Sequence, residues 1–144
     1  MRDSVQTSTD VPPAVGVRRL IFGHRVAQVI TTAAQLGLAD HLSDTPQNAA
    51  ELASLVHANA QALHRFLRAL ASIGMVTEAE DGSFALTPLG ACLQVGASSD
   101  MRSWALFEGA EHFQRAWSDL LYSVQTGEPA SAHVLGMDIS SYMK

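Results

Sequence analysis

From Ala62 to Gly90 the chain reads ALHRFLRALASIGMVTEAEDGSFALTPLG, a helix-forming run that stops at Gly74 and gives way to two short β-prone runs meeting at Asp81-Gly82. Leu63, Phe66, Leu67, Leu70 and Ile73 recur at three- and four-residue spacing, which is one face of an α-helix. Asn59 is placed to cap its start and Gly74 to sit just past its end. MVTEAE and SFALT flank Asp81-Gly82, a dipeptide that tolerates positive φ, so they predict a hairpin with a tight turn. Thr87-Pro88 opens another short helix, with proline at the first helical position, where its missing N–H costs nothing. Upstream, Asn48 stands three residues before Glu51, the spacing of a reciprocal capping box, and Leu52, Leu55 and Val56 supply the buried face of the helix that follows. Helix, helix, hairpin in that order is a winged helix-turn-helix.

On the N-terminal side, AVGVRRLIFGHRVAQVITTAAQL (14–36) predicts one long helix. Phe22, Val26, Val29, Ala33 and Leu36 make one stripe on it, and Leu20, Ala27, Ile30 and Ala34 widen that stripe to roughly half the circumference. A helix that only covers its own core needs a narrower stripe, so the excess implies a second surface to bury. On the C-terminal side, residues 100–124 return to helix, with an interruption at Gly109, and Leu106, Phe113, Trp117, Leu120 and Leu121 are expected on one face. The expected fold is therefore mostly α, a winged helix with an added N-terminal helix and C-terminal helices. Residues 1–13 read as a flexible leader, 14–125 as the folded unit, and 126–144 as a loop followed by the first turn of something further.

The chain has 144 residues, enough for one core without disulfides or metal. Nine Lys and Arg stand against fourteen Asp and Glu, so no overall positive field gathers nucleic acid or anionic lipid. The N-terminus lacks the apolar core of a signal peptide, no run is long enough to span a bilayer, and the single cysteine, Cys92, excludes an internal disulfide, all of which fits a cytoplasmic setting.

His64, Arg65 and Arg68 lie where a DNA-reading winged helix makes its groove contacts, which makes a transcriptional regulator the alternative function. The wing opposes it, because TEAEDGS brings Glu78, Glu80 and Asp81 and no base to where phosphates would lie. The three basic groups read better as a solvated face paired with carboxylates such as Glu51 or Glu78. Glu108 with His112, and Glu111 with Arg115, are spaced for surface ion pairs, with no nucleophile or orienting group nearby. His24, His41, His57 and His133 show no metal-ligand spacing, and Cys92 reads as an inert core thiol. Trp104, Phe107, Phe113 and Trp117 crowd four of the nine aromatics into fourteen positions. Phe113 and Trp117 fall on the apolar face and read as core, while Trp104 falls nearer the polar face, where it could line a pocket for a flat ligand. No glycine-rich phosphate loop and no GxSxG is present, so no catalytic, cofactor-binding or metal-binding residue is assigned.

Residues 48–90, NAAELASLVHANAQALHRFLRALASIGMVTEAEDGSFALTPLG, with 115–143, RAWSDLLYSVQTGEPASAHVLGMDISSYM, resemble the N-terminal region of S-adenosylmethionine-dependent O-methyltransferases. The group meant is that of the plant caffeate-type enzymes and the bacterial enzymes of secondary metabolism. The resemblance implies a degenerate winged helix that forms an intertwined homodimer and closes one side of a pocket for an aromatic or polyketide acceptor. It makes Phe22, Val26, Val29, Ile30 and Ala33 dimer-interface candidates, and Trp104, Phe107, Phe113 and Trp117 pocket-wall candidates. In that family the S-adenosylmethionine site and the catalytic base belong to a following Rossmann-like domain, so this chain alone is expected to bind no cofactor and to be inactive. Its expected partners are a second copy or a full-length methyltransferase relative, and a small aromatic acceptor, with no nucleic acid and no membrane.

Overall fold

The computed structural model describes residues 11–43, 45–137 and 141; most of the expected leader and the last residues of the expected connection lie outside the described residues. The chain is mostly helical. Helices α1 (Pro13–Ile21) and α2 (Gly23–Leu36) lead into α3 (Leu38–His41), then α4 (Ala49–Leu55), α5 (Ala60–Ser72), the hairpin β1 (Val76–Glu78) and β2 (Phe84–Leu86), and α6 (Pro88–Ala91). Four further helices follow: α7 (Met101–Glu108), α8 (Glu111–Ser118), α9 (Leu120–Thr126) and α10 (Ala130–Leu135).

The winged helix is built by the caps its sequence carries. The Asn48 side chain accepts from the Glu51 amide at 2.9 Å while the Glu51 carboxylate accepts from the Asn48 amide at 3.2 Å, the complete capping box. Asn59 accepts from the Ala62 amide at 2.9 Å, and the Thr87 hydroxyl from the Gly90 amide at 3.1 Å, with Pro88 at the start of α6. The strands are antiparallel, with Val76 opposite Leu86 and Glu78 opposite Phe84. Gln47, just before α4, exchanges two main-chain hydrogen bonds with Phe84 at 2.8 and 3.0 Å, tying the wing to the helix-turn-helix. Phe84, Leu52, Leu67, Leu38 and Leu70 are fully buried at the centre of the core. Each contributes about 1.5–3 kcal/mol by leaving water.

Several expectations needed correction. The long N-terminal helix is two helices that meet at Phe22, beside Gly23, whose missing side chain weakens helix continuity. Leu55 is 50 % exposed rather than buried: Ala49, Leu52, Ala53 and Val56 form the inner face, and Leu55 stands about 110° around the helix from it. The wing turn is longer than a two-residue turn. Ala79 closes it by accepting from Gly82 at 3.0 Å and donating to Ser83 at 2.8 Å, and within it only Gly82, at φ 80°, takes a left-handed conformation. That pattern is a three-residue loop with glycine in the left-handed position, and Asp81 serves it through its carboxylate, which accepts from the Ser83 amide and hydroxyl. Those two bonds hold the Asp81 carboxyl below the ordinary aspartate range.

The C-terminal helical region is the largest correction. Breaks at Gly109–Ala110 and Asp119 divide it into α7, α8 and α9, so the single apolar face expected across it does not form. Trp117, Leu120, Leu121 and Val124 are all at least half exposed, so Trp117 is not core. α7 packs on α2, and α10, which lies beyond residue 125, packs on α8. The break also separates Glu108 from His112, and Arg115 does not pair with Glu111; its guanidinium donates to the Val134 carbonyl at 3.5 Å.

Candidate functional site

A cavity of about 380 Å³ opens between α2, the α6 region and the α7–α8 junction. Its walls are mostly apolar: Ala27 and Ile30 from α2, Met75 from the start of the wing, Leu89, Cys92 and Leu93 around α6, and Met101, Trp104 and Ala105 from α7. Glu108, Gly109, Gln114 and Trp117 close the far side. Both tryptophans of the chain are therefore cavity residues.

Local structure explains why the cavity exists. α7 is held close to α2 by the buried Thr31, whose hydroxyl donates to the Ala105 carbonyl at 3.1 Å, and by Arg102, whose Nε donates to the Ala34 carbonyl at 3.3 Å near the end of α2. Gly109 then lets the chain pass directly over Thr31, and the turn at Ala110 carries α8 away at an angle. The Gln114 amide locks that turn by donating to the Glu108 carbonyl at 2.7 Å. The space between the two diverging helices and α2 is the cavity.

The expected pocket residues divide. Trp104 and Trp117 line the cavity, while Phe107 and Phe113 do not. Phe107 stacks behind Trp104 at 5.8 Å between ring centroids and meets Phe113 at 4.2 Å, so the two phenylalanines form a rear support. Cys92, expected in the core, is half-buried at the cavity wall, its thiol 3.7 Å from the Pro88 carbonyl. Sequence reading missed the share of α2 and α6; the apolar run after LTPLG was the available signal for α6.

The expected dimer residues also divide. Phe22 and Val26 are 40 % and 39 % exposed, Val29 and Ile30 are half-buried against the core, and Ala33 is 4 % exposed. Ala33 belongs to the chain's own core and offers a second chain no surface. On α1, outside that candidate set, Val17, Leu20 and Ile21 are also exposed.

The face a DNA reader would use is engaged internally. Glu78 on the wing lies 3.7 Å from the His64 imidazole and 3.4 Å from the Arg68 guanidinium, the pairing that the acidic wing had suggested. His133 pairs with Asp119 at 2.7 Å and stacks on Tyr122. Among the described residues no group of three or more His, Cys, Asp or Glu side chains is placed to hold a metal ion, and no helix is long and apolar enough to cross a membrane.

The fold and the cavity thus define a helical winged-helix module with an acidic wing and an apolar small-molecule-sized pocket beside it. The sequence pattern of the O-methyltransferase dimerisation domain matches residues 18–96, and the chain belongs to that family. It is 42 % identical over 92 % of its length to the phenazine O-methyltransferase PhzM of Lysobacter antibioticus, of which it covers 39 %. Its fold superposes on the crystal structure of LaPhzM with a TM-score of 0.86 at 42 % identity, over 92 % of this chain and 40 % of that one. A more distant neighbour is the O-methyltransferase NcsB1 from neocarzinostatin biosynthesis, solved with S-adenosylmethionine and 2-hydroxy-5-methyl naphthoic acid, at TM-score 0.67 and 29 % identity over 82 % of this chain and 37 % of that one. The chain spans about two fifths of the length of these relatives.

Proposed function

We propose that the chain is the dimerisation and acceptor-pocket region of a secondary-metabolism enzyme that uses S-adenosylmethionine to methylate a hydroxyl on a flat aromatic or polyketide molecule. The cavity walled by Trp104 and Trp117 carries this reading, because it has the size, the apolar lining and the few polar groups of a small-molecule site. The aromatic ligand bound beside S-adenosylmethionine in the NcsB1 structure supports the substrate class and the donor. In this reading residues 14–125 are the pairing and pocket unit and 126–144 lead toward the donor-binding part, with α10 already docked on α8. A second copy, or a longer relative, covers the exposed apolar side of α1 and the first half of α2. The lone Cys92 needs no oxidising compartment, which goes with a cytoplasmic enzyme.

The described residues contribute shape and dryness. Methyl transfer to oxygen is a displacement at carbon whose rate depends on alignment of oxygen and donor and on exclusion of water, and a rigid apolar wall supplies both. S-adenosylmethionine, when bound, supplies the electrophilic methyl group. The chain alone is expected to bind the acceptor weakly and to methylate nothing.

Because both tryptophans line the cavity, intrinsic fluorescence reads its occupancy. Naphthol titrated into the full chain should quench the emission in a saturable way, and Trp104→Phe and Trp117→Phe should each retain part of the response. Absence of saturable quenching up to millimolar naphthol would refute the pocket assignment.

A further inference from the structure

Of the fourteen described residues lining the cavity, one is a carboxylate or a basic residue: Glu108, in the last turn of α7. Among the described residues no lysine, arginine or histidine lines it. Thr31 and Gln114 direct their donors at the chain itself, to the carbonyls of Ala105 and Glu108. The half-buried Glu108 carboxylate takes no hydrogen bond and no ion pair from a described residue. A carboxylate on a mostly apolar wall is the dominant local charge for whatever fills the space. An indole that Trp104 or Trp117 presents face-on to the occupant would act in the same sense, since the negative face of an aromatic ring attracts a cation or an N–H edge.

We infer that Glu108 sets the charge preference of the cavity: its occupant is a planar aromatic whose edge presents a hydrogen-bond donor or a positive charge, and an aromatic carboxylate is disfavoured. This rests on the reading of the cavity as the acceptor pocket and adds a constraint to it. A hydroxyl or amine donating to Glu108 would anchor one edge of the ring at the α7–α8 junction while the apolar walls hold its faces. A ring carboxylate in the same place would set two negative charges against each other, with no basic side chain among the described lining residues to offset them. The hydroxynaphthoic acid of the NcsB1 complex is of that disfavoured kind, so the inference separates this chain from that neighbour.

The test uses three probes with one ring system, naphthol, naphthoate and naphthylmethylammonium, titrated into the full chain at neutral pH and followed by tryptophan emission and by calorimetry. In the wild type the ammonium should bind about tenfold or more tightly than the carboxylate, with naphthol between them. Glu108→Gln keeps the shape and removes the charge, and should bring the ammonium and the carboxylate to within about twofold of each other, the scale of a lost weak charge pair. Glu108→Asp should retain the preference. Circular dichroism and melting curves establish that the variants fold. Equal wild-type affinities for ammonium and carboxylate, or a preference that survives in Glu108→Gln, would overturn the role of Glu108 while leaving the pocket standing. If no probe binds the wild type, the acceptor-pocket reading itself falls. Should Glu108→Gln not fold, Glu108→Ala, which also removes the charge, takes its place under the same criteria.

Discussion

Gly109 shows how one atom can set the geometry of a site. A Cβ built there would lie 2.8 Å from the Thr31 Cβ and closer still to the Thr31 methyl and hydroxyl. Thr31 cannot yield easily, because it is 5 % exposed and its hydroxyl is bonded to the Ala105 carbonyl. Gly109→Ala should therefore push the α7–α8 junction off α2, at about 1–3 kcal/mol for an overpacked contact. Urea unfolding of the two proteins measures it. Replacing Thr31 with Ala removes the two nearest clashing atoms and leaves only its Cβ at 2.8 Å, so the glycine substitution should cost less in that background; an additive double mutant would show that the glycine acts through something other than this contact. Asp81 is the contrasting case. Its carboxyl is held low by Ser83, so whatever it adds to the wing is present above the ordinary aspartate range and fades as pH falls through its lowered value, but the group is fully exposed and the wing does not depend on it alone.

At the scale of elements, the segments legible in sequence are those whose instructions are local. The capping box of α4 needs only Asn48 and Glu51, and both of its hydrogen bonds form as spaced. Asn48→Ala should cost about 1 kcal/mol, read as a lower urea midpoint with unchanged slope, and an unchanged midpoint would mean that packing of Leu52 and Ala53 holds the helix without the cap. The same locality made α5, the hairpin and the Thr87-Pro88 start readable. Elements that depend on distant contacts were not. The α7–α8 turn is fixed by Gly109 meeting Thr31, 78 positions away in sequence, and no window of neighbouring residues contains that information. Once the turn swings α8 away, the helical periodicity that had put Phe113 and Trp117 on one core-facing stripe no longer applies. Trp117 reaches the cavity instead, and Phe113 backs Phe107. Of the four aromatic pocket candidates, two therefore line the cavity and two stand behind it. Ala33 turns inward in this chain for a related reason: the stripe on α2 is wide enough for two surfaces, and the sequence does not say which of its residues faces the chain's own core.

At the scale of the molecule, the core and one exposed apolar surface lie at opposite ends of the same helical pair. In the second half of α2 Thr31, Ala33 and Ala34 are buried, while Val17, Leu20, Ile21, Phe22 and Val26 stand out at 56, 82, 62, 40 and 39 % exposure. A run of five large apolar side chains over ten positions is more than an isolated soluble chain usually leaves to water, and it lies within the dimerisation-domain match except for its first residue. Burying it against a second copy would contribute at the usual rate of about 25 cal/mol per Å² of apolar surface, less the cost of association. Leu20 is the sharpest probe of this, because at 82 % exposure it adds almost nothing to the fold of the single chain. Leu20→Glu should melt within a few degrees of the wild type, as a surface substitution does, yet it should shift the species seen by light scattering from about twice 15.4 kDa to 15.4 kDa at tens of micromolar chain. A second substitution, Leu121→Glu, samples an apolar residue of similar exposure on α9, 67 %, and should leave the dimer intact if pairing runs through α1 and the first half of α2. A wild type that stays monomeric at those concentrations, or a dimer lost with Leu121→Glu and kept with Leu20→Glu, would move the pairing surface away from the N-terminal helices.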